Sequence, residues 1–436
     1  MNAGIKPKDG SDWSNFYTVE GFRNRGLEVV NMLSEYVAVS QARTRSHVLN
    51  SEAPLDRLNY WKSRINSELK AVDGTLFSED FLTELLQRSN HLHDPRYAGH
   101  QVAVPLPELA WLQAATALLN NGMAIDEMGP ASSPMEEAVM QSVAQFMGFG
   151  EEAGGILTHG GTLANLTALL AARQRKSEGN PWRDGATRPC ALLVSEQAHY
   201  CVDRAARVMG WGAEGIIQVP TDSAHRIIQS ELVAAHEAAV NKGLEVIAVV
   251  GNACTTSTGT FDDLVMLADF AEAQDLWFHV DGAHGAGQVF SEKHRGVLKG
   301  MERADSVAMD FHKMLGIPAL CTGLFYRKGS DAYSAFNQEA HYLYESEDEE
   351  WWNLSKRTFE CTKRMLSAAV FGIWEAHGPR LWESLVDRLI DRAKVAAAEI
   401  ERRPRWELFA TPQSNIVCFR LIDRDNSALR ARLIEQ

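Results

Sequence analysis

The chain has 436 residues, of which 45% are hydrophobic and 23% are charged, so it is long enough to bury a large core and its composition is that of a folded globular protein. Its net charge of -14 argues against a broad electrostatic role on nucleic acid or on an anionic membrane surface.

The sequence of residues 1–104 is typical of helical segments separated by loops, as in EGFRNRGLEVVNMLSEYVAV and SEDFLTELLQRSNHL. From residue 105 to 355, short apolar runs alternate with helix candidates such as TLANLTALLAARQRK. The apolar runs are GGIL, ALLVS, GIIQV, EVIAVV, LWFHV, SVAMD and TGLFYR. This alternation predicts an α/β domain with a mostly parallel sheet covered by helices.

Residues 356–436 predict a small C-terminal α+β domain, with helices and the strand candidates WELFA and NIVCFRL. The chain ends at ALRARLIEQ, inside an expected helix of that domain, so we expect the domain to be truncated.

Cysteine spacing and the search for targeting signals indicate the cellular compartment. The six cysteines are scattered without a CxxC pair, which argues against a zinc ribbon or a disulfide framework. The N-terminus lacks the apolar core of a signal peptide, and no run of about 20 apolar residues occurs. We therefore expect a cytoplasmic protein with no membrane partner.

Four features lie where predicted strands end, and parallel sheets bind ligands beyond those ends. Lys313 follows SVAMD and Asp281 comes immediately after LWFHV, while GGT at 160–162 and His199 each open a helix. Taken singly, each has a simpler explanation, such as a surface lysine, a helix cap, a common glycine turn or a core histidine.

Pyridoxal phosphate would use all four features together. It needs a lysine for its covalent link, a carboxylate opposite its ring nitrogen, a phosphate cradle and a flat neighbour for its ring. We expect the apolar surroundings of Lys313 to lower its pKa and so to make it a nucleophile.

Seven blocks in order resemble the group II pyridoxal-phosphate decarboxylases, which include glutamate, cysteine sulfinate, aromatic amino acid and diaminobutyrate decarboxylases. The blocks are HDPRYAGHQ (93–101), EMGPASSPMEEAV (127–139), GGTLANLTALLAAR (160–173), SEQAHYCVDRAA (195–206), ACTTSTGTFDDL (253–264), FHVDGAHGAG (278–287) and DFHKMLG (310–316). The resemblance implies pyridoxal-phosphate fold type I and decarboxylation of an L-amino acid.

The resemblance also implies a role for each matched position. Lys313 would bind the cofactor covalently, and Asp281 would keep the ring nitrogen protonated. The remaining cofactor-binding positions would be Gly161, Thr162, Ser306 and His312 at the phosphate, and His199, Thr256 and Ala283 around the ring.

Tyr342, in AHYLY, would be the loop tyrosine that protonates the substrate carbanion, usually in the partner's site, which implies a homodimer. Tyr97, His100 and Gln101 would line the substrate pocket. The sequence HKMLG around Lys313 slightly favours a small acidic amino acid as the substrate.

The sequence departs from the family pattern in three ways. Cys201 replaces the usual serine, His284 stands where bulky aromatic residues are common, and the arginine that binds the substrate α-carboxylate has no counterpart. Two alternatives therefore stay open. One is an aldehyde lyase or aldehyde synthase of the same fold, and the other is a non-catalytic binding or regulatory relative.

Overall fold

A computed structural model describes residues 17–66, 78–102, 104–336 and 350–435 of the chain. By internal packing the chain divides into two compact units, Met1–His100 with Asp423–Gln436, and Gln101–Ile422. No helix in the described ranges combines the length and the apolar character needed to cross a membrane.

The first unit is helical in its described residues. Its helices are α1 (Val19–Gln41), α2 (Pro54–Asn66), α3 (Glu79–Arg88) and, from the C-terminal end of the chain, α13 (Asn426–Glu435). The hydroxyl of Thr18 caps α1 by accepting a hydrogen bond from Gly21 N at 3.1 Å, and Ser78 caps α3 in the same way. Side-chain caps of this kind satisfy backbone donors that the first turn leaves free.

The second unit is built on a seven-stranded sheet with the strand order β1-β7-β6-β5-β4-β2-β3. Its strands are β1 (Gly154–Thr158), β2 (Cys190–Ser195), β3 (Ile216–Val219), β4 (Glu245–Asn252), β5 (Trp277–Asp281), β6 (Ser306–Asp310) and β7 (Thr322–Tyr326). Only β7 among them runs antiparallel to its neighbours, β1 and β6. The predicted mostly parallel sheet is confirmed, and each of the seven apolar runs forms one of its strands.

Helices cover the sheet, and a separate hairpin pairs β8 (Trp406–Leu408) with β9 (Phe419–Leu421). The helices of this unit are α4 (Leu109–Leu119), α5 (Ser132–Phe146), α6 (Gly161–Lys176), α7 (Pro181–Asp184), α8 (Tyr200–Val208), α9 (Gln229–Asn241), α10 (Leu264–Ala273), α11 (Ser367–His377) and α12 (Arg380–Glu401). Side chains alternate between two buried clusters along the central strands. In β2, Leu193 packs into one cluster and Leu192 into the other.

The division into units differs from the predicted domain boundaries, because residues 356–422 pack with the sheet. Trp382 of α12 is fully buried, and its ring centroid lies 4.9 Å from that of Phe290 and 5.5 Å from that of Phe311. Only α13, from the region predicted to form the small domain, is grouped with the first unit. This division therefore gives no separate domain beginning at residue 356.

Candidate active site

The carboxyl ends of five strands surround one cavity of about 400 Å³. These strands are β1, β2, β4, β5 and β6, which all run in the same direction and so end at the same edge of the sheet. The lining residues are His159, Gly160, Gly161, Thr162, Asn165, His199, Cys201, Arg204, Asn252, Cys254, Thr256, Asp281, Ala283, His284, Asp310, His312, Lys313 and Leu320.

Lys313 follows β6 and points its amine at a buried carboxylate. Its Nζ lies 3.0 Å from Oδ2 of Asp310. Burial lowers the pKa of Lys313, but the carboxylates of Asp310 and Asp281 outweigh burial and hold that pKa above its ordinary value. The predicted fall in pKa is therefore wrong, because the sequence reasoning overlooked the carboxylate of Asp310, which contacts the amine.

Asp310 is a site residue that the sequence reasoning missed. Its side chain is 2% exposed, and its Oδ1 accepts a hydrogen bond from the hydroxyl of Thr322 at 2.5 Å. The signal was present, since Asp310 ends a buried strand just as Asp281 does. Beside Lys313, the Asp310 carboxylate stabilises the ammonium form of the lysine.

Asp281 ends β5 and is 6% exposed. Its Oδ1 accepts a hydrogen bond from the backbone N–H of Ala283 at 3.2 Å, and the thiol of Cys201 lies 3.9 Å from its Oδ2. Neither donor carries a charge. The carboxylate can therefore receive a cationic N–H from a ligand in the cavity.

The turn between β1 and α6 forms an anion cradle. Gly160 has φ +99°, a backbone conformation that favours glycine, and it offers no side-chain cap to α6. A Cβ on Gly161 would lie 3.3 Å from both the Ala283 Cβ and Oδ1 of Asp310, so only glycine leaves this space open. The N–H groups at the start of the 16-residue helix α6 are suited to a phosphate.

His199 and Thr256 line the cavity, and their predicted contacts with the cofactor ring stay predictions. His199 is the N-cap of α8, where its Nδ1 accepts a hydrogen bond from Cys201 N at 3.3 Å. Burial lowers the pKa of His199, which favours the neutral ring. Gln101 does not line the cavity. It lies next to Thr256, since its Nε2 donates a hydrogen bond to the carbonyl oxygen of Thr256 at 2.7 Å.

His312 lines the cavity, whereas Ser306 does not. The Nδ1 of His312 lies 2.9 Å from the carbonyl oxygen of Cys321, which fixes the ring. Ser306 is fully buried at the beginning of β6, where its Oγ lies 2.9 Å from Nε1 of Trp277 and 2.8 Å from Nδ1 of His279. The predicted phosphate contact of Ser306 is therefore corrected: this hydroxyl lies near the wrong end of the strand.

The roles predicted for three further residues stay predictions. Tyr97 and His100 belong to the first unit, so their predicted contact with the substrate stays a prediction. Tyr342 lies outside the described residues.

Sequence reasoning also missed Asn165 and His279. Asn165 lies one helical turn after Gly161, and His279 lies two residues before Asp281 on the same face of β5. Both are buried polar groups inside apolar patterns, and this was the signal that could have identified them.

Comparison with known proteins places this arrangement in a family. Residues 78–422 match the family described as the pyridoxal-dependent decarboxylase conserved domain. The chain belongs to the pyridoxal-dependent decarboxylase family.

Relatives of several named activities align with the chain. An L-aspartate decarboxylase of Metarhizium robertsii is 31% identical over 306 residues, which are 69% of this chain and 61% of the relative. An aspartate 1-decarboxylase of Aliivibrio fischeri is 27% identical over 89% of this chain and 75% of the relative. An L-2,4-diaminobutyrate decarboxylase of Acinetobacter baumannii is 30% identical over 77% of this chain and 69% of the relative. The chain thus spans about three-fifths of the fungal relative's length.

Solved structures agree with the fold. The crystal structure of mouse CSAD in its apo form superposes with a TM-score of 0.78 at 25% identity, over 91% of this chain and 84% of that one. A Catharanthus roseus tryptophan decarboxylase gives a TM-score of 0.81 at 21% identity, over 93% of this chain and 85% of that one. The fold is therefore the α/β pyridoxal-phosphate fold type I.

The residues at the cavity fit pyridoxal phosphate, the cofactor of this family. Lys313 offers the amine for the covalent link and Asp281 a carboxylate for the ring nitrogen. The glycine turn and the start of α6 offer N–H groups for the phosphate, and the cavity volume lies in the range of small-ligand sites.

Proposed function

We propose that the protein removes the α-carboxylate of an L-amino acid with pyridoxal phosphate and releases carbon dioxide and an amine. One observation carries this proposal: Lys313, Asp281 and the N-terminus of α6 converge on a single cavity. When bound, the cofactor supplies an electron sink for the electron pair left by the departing carboxylate.

Two carboxylates of the chain would act at different nitrogen atoms, Asp281 at the cofactor ring and Asp310 at Lys313. Asp281 would hold a proton on the ring nitrogen, because an anionic partner favours the charged form of a neighbouring base. Asp310 would orient the amine: its Oδ2 lies 3.0 Å from Lys313 Nζ and holds the ammonium group in place. This ammonium must lose its proton before the amine can attack.

Uncharged side chains would exclude water from the cofactor ring and orient it. The methyl group of Ala283 and the neutral ring of His199 would contact the two faces of the cofactor ring. Burial keeps the Cys254 thiol protonated by raising its pKa to about 12, so this thiol adds no negative charge beside the cationic ring.

We infer further that the substrate is a small acidic amino acid. Arg204 lines the cavity, and its guanidinium stacks 4.8 Å from the ring centroid of Tyr200. This guanidinium forms no ion pair with a carboxylate of the described residues, so it can bind a substrate carboxylate. Two of the relatives named above are aspartate decarboxylases.

The test is substrate-dependent release of carbon dioxide. The purified protein is loaded with pyridoxal phosphate and incubated with aspartate, glutamate, cysteine sulfinate, diaminobutyrate and aromatic amino acids. We expect carbon dioxide and the matching amine from an acidic substrate. Aldehyde with hydrogen peroxide would instead indicate an aldehyde synthase, and cofactor binding without any turnover would indicate a non-catalytic relative.

Arg204→Ala tests the choice of substrate. We expect the KM for the acidic substrate to rise roughly tenfold, because a charge-assisted hydrogen bond is lost. Arg207→Ala is the matched control, since Arg207 lies on the same helix and pairs with Asp203 at 2.7 Å without lining the cavity. Equal effects of the two substitutions would exclude a specific role for Arg204.

We also infer a cytoplasmic homodimer in which Tyr342 serves the partner's site. The expectation comes from the family resemblance, and subunit mixing tests it. Lys313→Ala and Tyr342→Phe proteins, each inactive alone, should regain about a quarter of wild-type activity when mixed after reversible dissociation, since half the dimers then hold one intact site. No recovery in mixed dimers would place Tyr342 in its own subunit's site.

A further inference from the structure

A line of buried polar side chains runs beneath the cavity. Its members, in order of contact, are Trp277, Ser306, His279, Asn165, Cys201 and Asp281. Each of them is less than 10% exposed. Such groups are stable in a core only when their hydrogen bonds are satisfied, so the partner of each one is informative.

The amide of Asn165 has one orientation that suits its neighbours. Its Nδ2 lies 2.9 Å from the carbonyl oxygen of Gly161, which only accepts hydrogen bonds. The other amide atom, Oδ1, therefore faces Nε2 of His279 at 2.6 Å. Flipping the amide would bring two oxygens together at Gly161.

This orientation fixes the proton on His279. Because Asn165 Oδ1 accepts, His279 carries its hydrogen on Nε2, and its Nδ1 accepts from the hydroxyl of Ser306 at 2.8 Å. The Ser306 oxygen in turn accepts from the indole N–H of Trp277 at 2.9 Å. Burial lowers the pKa of His279 to about 4, which agrees with a neutral ring.

From Asn165 the line continues to the catalytic carboxylate. Its second amide hydrogen points at Cys201 Sγ, 3.5 Å away, and that sulfur lies 3.9 Å from Oδ2 of Asp281. Burial raises the pKa of the Cys201 thiol, so the S–H proton is retained and can be donated to Asp281. All donors from Trp277 to Cys201 thus point the same way.

We propose that Asn165 is a positioning residue that aligns the two ends of the cofactor site. Its single amide holds the Gly161 carbonyl in the phosphate turn and, through Cys201, orients the Asp281 carboxylate that meets the ring nitrogen. The inference rests on the proposed function, because it assigns the site to pyridoxal phosphate. Cys201, where the family usually has serine, then serves as a donor to Asp281.

Three substitutions separate this role from simple packing. Asn165→Asp keeps the size and the acceptor for His279 but removes both donors. Cys201→Ala removes the S–H donor, and Cys201→Ser restores a donor on the same Cβ. Thr167→Val is the matched control, since Thr167 lies on the same helix, is fully buried and has a hydroxyl without a hydrogen-bond partner in the described part of the chain.

Two properties of the bound cofactor are measured for each purified protein. The first is the dissociation constant of pyridoxal phosphate, from titration of the cofactor-free protein. The second is the pH midpoint at which the visible absorbance of the bound cofactor changes. We expect Asn165→Asp to raise the dissociation constant roughly tenfold or more and to shift the midpoint, since two buried acceptors lose their donors. Cys201→Ala should shift the midpoint, Cys201→Ser should return it toward wild type, and Thr167→Val should change neither property.

Several outcomes would overturn the inference. Wild-type values for both Asn165→Asp and Cys201→Ala would do so, as would equal shifts in the Thr167→Val control. If Asn165→Asp does not fold, the Cys201 pair decides, and a midpoint that is the same with alanine and serine contradicts the proposal. A wild-type protein that binds no pyridoxal phosphate would overturn the proposed function as well, whereas normal wild-type binding with unaltered variants overturns only this inference.

Discussion

Replacing Asp281 by asparagine removes a charge and leaves the shape of the site nearly unchanged. The carboxylate is 6% exposed at the end of β5, and its described donors are the Ala283 N–H and the Cys201 thiol. A protonated ring nitrogen at hydrogen-bond distance would be its cationic partner. At about 3 Å and an effective dielectric constant near 20, that attraction is about 5 kcal/mol before desolvation.

Asparagine recovers part of this energy as a neutral hydrogen bond, worth about 1 to 2 kcal/mol. The remaining loss of about 3 to 4 kcal/mol corresponds to a fall in kcat/KM of roughly 100- to 1,000-fold for Asp281→Asn. We expect Asp281→Glu, which keeps the charge on a longer side chain, to retain more activity than asparagine.

The assay is carbon dioxide release with the best substrate, after the cofactor content of each protein has been equalised and checked by absorbance. Equal loading is essential, because weaker binding of the cofactor would also lower the rate. A loss of less than about tenfold in fully loaded Asp281→Asn would refute the argument, since it would mean that the charge contributes under about 1.4 kcal/mol to the transition state.

Three further predictions concern the covalent link, a buried ion pair and pH. Lys313→Ala should abolish activity. After borohydride reduction of the bound cofactor, mass spectrometry should find the cofactor on the peptide that contains residue 313, and only in the wild-type protein. A second labelled peptide would contradict the assignment of Lys313 as the lysine that binds the cofactor. The side chains of Lys363 and Glu136 are fully buried, with 2.5 Å between Nζ and Oε1, so Lys363→Met should lower the free energy of unfolding in urea by about 3 to 5 kcal/mol. Adding Glu136→Gln should recover most of that loss, and an additive double variant would argue against a coupled pair. The pKa of His284 is lowered to about 4, mainly by burial and secondly by the nearby charge of Lys313. Between pH 4 and the ordinary histidine pKa of about 6.5, the imidazole is therefore protonated in the unfolded chain and neutral in the folded chain. Stability should therefore fall as pH falls through that window, and His284→Gln should flatten the urea-unfolding profile there; an unchanged slope would exclude this residue as the cause.

The fold was largely predictable because its strands are short runs that are buried on both faces. SVAMD coincides with β6, and LWFHV predicts β5 to within a residue at each end. Such runs need no long-range information, since a parallel sheet covered by helices requires apolar side chains on both sides. The order of the strands in the sheet depends on long-range contacts, and the sequence reasoning did not attempt it.

The sequence reasoning identified cavity residues where they lie at the carboxyl end of a strand or shortly after it. Lys313 and Asp281 met that condition, whereas Ser306 begins its strand and lies roughly 13 Å from the strand's other end at about 3.3 Å per residue. The pKa of Lys313 could not be predicted, because its direction depends on two carboxylates brought together from neighbouring strands. Asn165 was hidden for a similar reason, since its partners lie on β5 and α8.

The two carboxylates at the cavity look equivalent in sequence, and their partners distinguish them. Asp281 and Asp310 each end one of two adjacent parallel strands, and both are nearly fully buried. Asp310 already contacts an ammonium group at Lys313 and a hydroxyl at Thr322, so its charge is compensated within the chain. Asp281 receives only uncharged donors from the described residues. A buried carboxylate without a cation is unfavourable, and a cationic ligand nitrogen relieves that cost. We therefore propose that the ring nitrogen would lie at Asp281 and that Asp310 holds the ammonium group of Lys313.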